Sequence, residues 1–136
     1  MTYIPESLRR KIYERANYRC EYCHLHSEDA YMPHEVDHIR AEKHGGKTDE
    51  ANLCLACFDC NRHKGSDFAS FDPLNDSVVL LFHPRRDEWF KHFQHEGNSV
   101  QPLTPQGRVT VELLQINTPE RLAERDILIK AGTYPP

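Results

Sequence analysis

Residues 35–65 read EVDHIRAEKHGGKTDEANLCLACFDCNRHKG, and this stretch decides the fold. Residues 35–40 read as a short strand anchored by Val36 and Ile39. Residues 41–51 carry Gly45-Gly46 and no apolar period, so they form a loop. Residues 52–56 give a second strand, with Leu53 and Leu55 on one face and Cys54 and Ala56 on the other. Cys57-x-x-Cys60 then turns the chain, and a short helix runs from Asn61 until Gly65 stops it. The sequence therefore predicts two strands and a helix within one compact unit.

Working outward, residues 5–16 form a helix: Pro5 suits its first position, and Leu8, Ile12 and Ala16 share one face. Asn17 ends it, and Tyr18 to Cys23 makes a second cysteine knuckle. Residues 24–33 are polar loop, with His24, His26, His34 and His44 expected in solvent. Beyond Ser66 the expectation is a strand over 78–82, a short helix over 87–93 presenting Trp89, Phe90 and Phe93, and a brief strand over 101–103. Thr104-Pro105 and Thr118-Pro119 each place a capping hydroxyl before a first-turn proline, predicting helices over 105–116 and 119–131. Arg85-Arg86 reads as a solvated pair. The fold class is α+β: a core over 1–68 and a C-terminal α/β extension over 69–136, whose aromatic and aliphatic residues pack it onto the core.

Composition bounds the function. A chain of 136 residues, 38% hydrophobic and 28% charged, has room for one real core. No apolar run approaches the roughly 18 residues that span a bilayer. The start, MTYIPESLRRKIYE, is amphipathic without the apolar run of a secretory signal, so the expected compartment is the cytoplasm. The net charge of −4 argues against a broad phosphate-neutralising face. Arg40, Lys43 and Lys47 follow His38 closely, however, and Arg62 and Lys64 follow the second cysteine pair. These five are the candidate substrate-binding cations of a locally basic site.

Four of the five cysteines form two C-x-x-C clips, Cys20/Cys23 and Cys57/Cys60, with Cys54 left over as a small buried strand residue. Zinc in structural sites takes a closed tetrahedron of thiolates, and the two-residue spacing lets each knuckle aim both sulfurs at one ion. The 33 residues between the clips hold the two strands, so a structural Zn²⁺ would join the ends of a hairpin. Cys20 to His24 also matches the haem-attachment pattern, but that chemistry needs export, and a redox C-x-x-C would need a βαβ setting that is missing. A four-cysteine iron–sulfur cluster is the remaining alternative.

Between and beside the knuckles lie Asp37-His38, Asn52 and Asn61, with Asn52 following His38 by 14 positions and Asn61 following Asn52 by nine. Each alone is an ordinary surface or turn residue; only the joint spacing raises them above background. With V-D-H-I-x-A, the Gly-Gly loop, N-L-x-L-A-C-x-x-C-N and a following lysine, residues 15–65 resemble the HNH endonuclease family in its zinc-knuckle form. The resemblance implies a ββα-metal core and metal-dependent hydrolysis of DNA phosphodiesters to 5′-phosphate and 3′-hydroxyl, although the family also includes members acting on RNA. It implies catalytic roles for His38, as general base, and for Asn52, which braces loop and strand.

The chemistry asks for the same residue types. Hydrolysis needs an activated water, charge neutralisation at phosphorus and help for the departing oxygen. Imidazole is the side chain suited to accept a proton near neutral pH. Asp37 points to the opposite side of its strand from His38 and can bind metal, with Asn61 completing the protein ligands. Asn61 stands where the family often has histidine. One anionic and one amide oxygen favour Mg²⁺ or Mn²⁺ at the catalytic site. His63, two positions on, faces away and is left out of the ligand set. The rival function is a non-catalytic zinc module that binds nucleic acid or protein.

Overall fold

The computed structural model describes residues 2–136. Helix α1 (Glu6–Arg15) follows Pro5 and buries Ile12. Strands β1 (Glu35–His38) and β2 (Leu53–Ala56) pair antiparallel, with Val36 opposite Leu55, Asp37 opposite Cys54 and His38 opposite Leu53. Helix α2 (Phe58–Lys64) follows at once. It opens three residues earlier than the sequence suggests because Cys57 is its N-cap: the Cys60 amide donates to Cys57 Sγ at 3.4 Å. The expected ββα unit is present, and α1 covers one face of its hairpin. Ile12, Val36, Leu53 and Leu55 form a small core there. Each such side chain, fully buried, contributes about 1.5–3 kcal/mol.

The second half adds two hairpins and three helices. Strand β3 (Ala69–Phe71) pairs with β4 (Val78–Leu80), a partnership the sequence did not announce. β4 stops before 82 because the Leu81 amide turns to the Phe68 carbonyl and the Phe82 amide to Thr110 Oγ1. The helix expected over 87–93 shrinks to α3 (Trp89–His92), since Phe93 is extended and starts β5 (Phe93–Glu96). β5 returns through Gly97, at φ 60°, to β6 (Ser99–Pro102). Helices α4 (Pro105–Leu113) and α5 (Pro119–Ala131) start as expected. Thr104 and Thr118 accept from the amides of Gly107 and Arg121, and Gly132 ends α5 in the left-handed region.

The larger core draws on both halves. Cys20, Tyr22 and Cys57 lie in it with Phe82, Trp89, Phe93, Val100, Val109, Leu114 and Ile116. The extension therefore closes over the knuckles, pinned by Trp89 Nε1 donating to the Tyr22 carbonyl (3.0 Å) and Tyr134 Oη donating to that of Cys23 (2.7 Å). Two of the histidines expected in solvent lie out of it. His34 is buried, its Nε2 bonded to the Leu25 carbonyl at 2.8 Å. His24 lies against Trp89, ring centroids 4.0 Å apart, and burial pulls its pKa down to about 4. Among the described residues no helix is long and apolar enough to cross a membrane.

Candidate zinc centre and active-site cleft

At one end of the hairpin the two knuckles bring Cys20, Cys23, Cys57 and Cys60 together. Their four Sγ atoms all lie within 4.8 Å of one another. Cys23 and Cys57 Sγ are 3.7 Å apart. A tetrahedron with Zn–S bonds of about 2.3 Å has edges of about 3.8 Å, so the cage fits zinc. The knuckle turns aim amides at sulfur: Tyr22 N and Cys23 N at Cys20 Sγ (3.4 and 3.5 Å), Cys60 N at Cys57 Sγ. The four cysteines are at most 1% exposed, as expected of a closed structural site.

A fifth residue completes this centre, and the sequence reading missed it. Arg121, in the first turn of α5, donates to Cys60 Sγ at 3.2 Å and lies 3.6 Å from Cys57 Sγ. Its other terminal nitrogen holds the Leu114 and Gln115 carbonyls. Burial works against its charge, but the Cys60, Cys23 and Cys57 sulfurs outweigh that and raise its pKa. Four thiolates around a divalent ion leave a net charge of −2, and a buried guanidinium offsets part of it.

Near the other end of β1, Asp37, His38 and Asn61 line one cleft of about 550 Å³, bordered by the N-terminal residues Thr2 to Ile4. The cleft is acidic: Glu6, Glu35 and Glu42 also line it, against Arg9. His38 Nε2 is 2.8 Å from Thr48 Oγ1, which fixes the imidazole ring. Asn52 spans the mouth of the loop between β1 and β2. Its Oδ1 accepts from Arg40 N (2.9 Å), and its Nδ2 donates to the carbonyls of Arg40 (2.9 Å) and Lys47 (2.8 Å). The loop leaves no room there: a Cβ on Gly46 would stand 1.7 Å from the Arg40 carbonyl oxygen.

Lys64, a candidate substrate contact from sequence, is instead buried at 2% exposure. Its ammonium lies 3.1 Å from Asp37 Oδ2 and 3.1 Å from the His38 carbonyl. Burial raises the Asp37 pKa, and Lys64 works against that shift. The contact is an ion pair without hydrogen-bond alignment, for Oδ2 is buried and has no hydrogen-bond partner among the described residues. Among the described residues the four cysteines are the one group of three or more His, Cys, Asp or Glu side chains close enough to share an ion. Of the residues expected to hold a metal, Asp37 offers a carboxylate and Asn61 an amide, a sparse hard-oxygen set that suits a cation retaining most of its waters.

The remaining predicted cations stay at the surface. Arg40, Lys43, Lys47 and Arg62 are exposed, Arg62 over the Phe58 ring at 5.6 Å. His63 Nδ1 bonds to the Asp59 carbonyl of its own helix at 2.8 Å, and His63 does not line the cleft. Thr48 and Arg121 carried no signal in the sequence, because each acts through a partner distant along the chain.

Residues 20–67, just over a third of the chain, match the HNH endonuclease family. No curated protein and no solved structure matches. At the level of the family the match supports a nuclease with a nucleic-acid substrate, and the cysteine cage supports structural zinc.

Proposed function

We propose that the protein is a metal-dependent endonuclease that hydrolyses DNA phosphodiesters. The observation that carries this reading is the convergence of Asp37, His38 and Asn61 on one cleft, with the His38 ring fixed by Thr48. With Nε2–H donating to the Thr48 hydroxyl oxygen, Nδ1 keeps its lone pair and takes the proton from the water that attacks phosphorus. Asn52 is a positioning residue: by clamping Arg40 and Lys47 it fixes the loop that carries Thr48. Lys64 likewise orients the Asp37 carboxylate from below.

Asp37 and Asn61 would hold the divalent ion, Mg²⁺ or Mn²⁺ by donor type. Such an ion supplies charge neutralisation at the phosphate and at the departing 3′ oxygen. The acidic lining of the cleft makes that need acute, since phosphate cannot approach four carboxylates unaided. Arg40, Lys43, Lys47 and Arg62 serve as surface contacts to the flanking backbone. A non-catalytic zinc module would use the cysteine cage equally well but has no need of a fixed imidazole in an acidic cleft.

The test is nicking of supercoiled plasmid with Mg²⁺ or Mn²⁺. Wild type should cut to leave 5′-phosphate ends, and His38→Ala should lose about 10²–10⁴-fold in rate while keeping its fold. Equal nicking by the two proteins would sink the assignment, and no nicking by either would favour the binding module.

A further inference from the structure

A second cleft, of about 390 Å³, lies between the β1–β2 loop and the turn His83-Pro84-Arg85-Arg86 of the C-terminal half. The loop contributes Arg40 and Lys47; the turn contributes His83, Arg85 and Arg86. Asp49 is the one carboxylate in its lining, and its Oδ1 is occupied in capping the Ala51 amide. On a protein of net charge −4 such a concentration of positive charge is local and needs a cause.

The turn is built rigidly. His83 N donates to Asp87 Oδ2 at 2.8 Å, and His83 Nδ1 lies 3.1 and 3.2 Å from the amides of Arg85 and Arg86. Two backbone N–H groups aimed at Nδ1 make it the acceptor, so the ring proton sits on Nε2 as a donor with no protein partner among the described residues. Burial first, then the neighbouring Arg86, lowers the His83 pKa and keeps the ring neutral. Arg85 reaches back to Glu21 of the first knuckle, whose other carboxylate oxygen accepts from Leu55 N. This ion pair anchors the turn to the core, so Arg85 is no solvated residue. Arg86, by contrast, is exposed, and it, Arg40 and Lys47 appear in no ion pair among the described residues.

We infer that this basic cleft is a binding site for the phosphodiester backbone of the nucleic acid, with the C-terminal extension supplying Arg86 and the His83 Nε2 donor opposite Arg40 and Lys47. The inference rests on the proposed function for its choice of polyanion. Arg40 is two residues from His38, so their Cα atoms are at most about 7 Å apart, a distance that neighbouring phosphates of one strand bridge. A backbone held here continues directly to the general base. The acidic cleft can then admit the scissile phosphate while the neighbouring basic cleft supplies the hold on the strand.

The test is fluorescence anisotropy with a labelled mixed-sequence DNA duplex and no added divalent ion, across a salt series. Arg86→Glu and Lys47→Glu should each weaken binding about tenfold or more at low salt. Each should also reduce the slope of log K against log salt by about one. Lys130→Glu, the same charge change on the exposed last turn of α5, should change affinity less than about twofold. Unchanged affinity in Arg86→Glu, or an equal loss in Lys130→Glu, overturns the site. So does displacement of the duplex by polyglutamate at equal charge concentration, which would make the cleft a seat for acidic peptide. These outcomes are independent of nicking: unchanged binding in Arg86→Glu with His38-dependent cleavage intact overturns this site alone. Nicking that survives His38→Ala overturns the proposed function and leaves the binding result standing.

Discussion

The two ends of the β1–β2 unit solve opposite problems. At the knuckle end four sulfurs are sealed beneath both halves of the chain, and Arg121 closes the cage from α5. At the cleft end Asp37, His38 and Asn61 are half-buried, and the oxygen donors of Asp37 and Asn61 are few and hard. A site that holds metal for the sake of the fold satisfies every ligand position and excludes water. A site that works on a substrate leaves positions open and pre-arranges only the groups around them. The difference teaches which residues ought to govern stability and which ought to govern rate.

The largest effect should come from the sealed end. Cys57→Ser removes one zinc ligand and the cap of α2 together. Structural zinc supplies about 10–16 kcal/mol of apparent binding energy, as much as the whole stability of a typical domain. The variant should lose its zinc, measured by metal analysis, and its cooperative unfolding. Folded wild-type protein purified with no zinc would break the comparison at its root.

A crossed pair sharpens it. Arg121→Leu leaves the thiolate charge buried without its partner and should cost about 3–5 kcal/mol in urea unfolding. At temperatures where the variant is folded, its cleavage rate should match wild type. Thr48→Val should do the reverse: a rate lowered about tenfold, from one lost hydrogen bond on the His38 ring, with stability changed by about 1 kcal/mol or less. Rate loss in Arg121→Leu equal to that in Thr48→Val would mean the two ends are one cooperative machine.

The smallest effect concerns the choice of ion. With oxygen from Asp37 and Asn61 the cleft should work best with Mg²⁺ and Mn²⁺. Asn61→His should move the optimum toward Co²⁺, Ni²⁺ or Zn²⁺, because imidazole suits borderline ions better than an amide does. An identical metal ranking in the two proteins would remove Asn61 from the ligand set.

Much of the local structure was legible in advance. α5 begins and ends where Thr118-Pro119 and Gly132 placed it, the strand at Leu53 follows from its alternation, and the strand at Asp37 from its anchors Val36 and Ile39. The cysteine clips were legible because a knuckle needs its two sulfurs at a fixed short spacing. Less visible were the β3–β4 and β5–β6 hairpins, whose short strands carry little period of their own. The histidines misled: His24 and His34 sit in polar sequence, yet later segments of the chain bury the first against Trp89.

What the sequence determined by itself is everything written in short-range spacing: the two knuckles, the Asp37-His38 strand, Asn52 and Asn61 at their intervals, and the capped helices. Local geometry alone fixes which of those side chains share a turn or a strand face. Only the tertiary structure decided that Lys64 lies buried under Asp37, that Arg121 closes a cage 61 residues away, and that Arg86 and Arg40 line one cleft. Those contacts depend on how elements dock. A charged side chain reads the same in sequence whether it ends in water, against a carboxylate or over four sulfurs, and what distinguishes them is the burial that docking imposes.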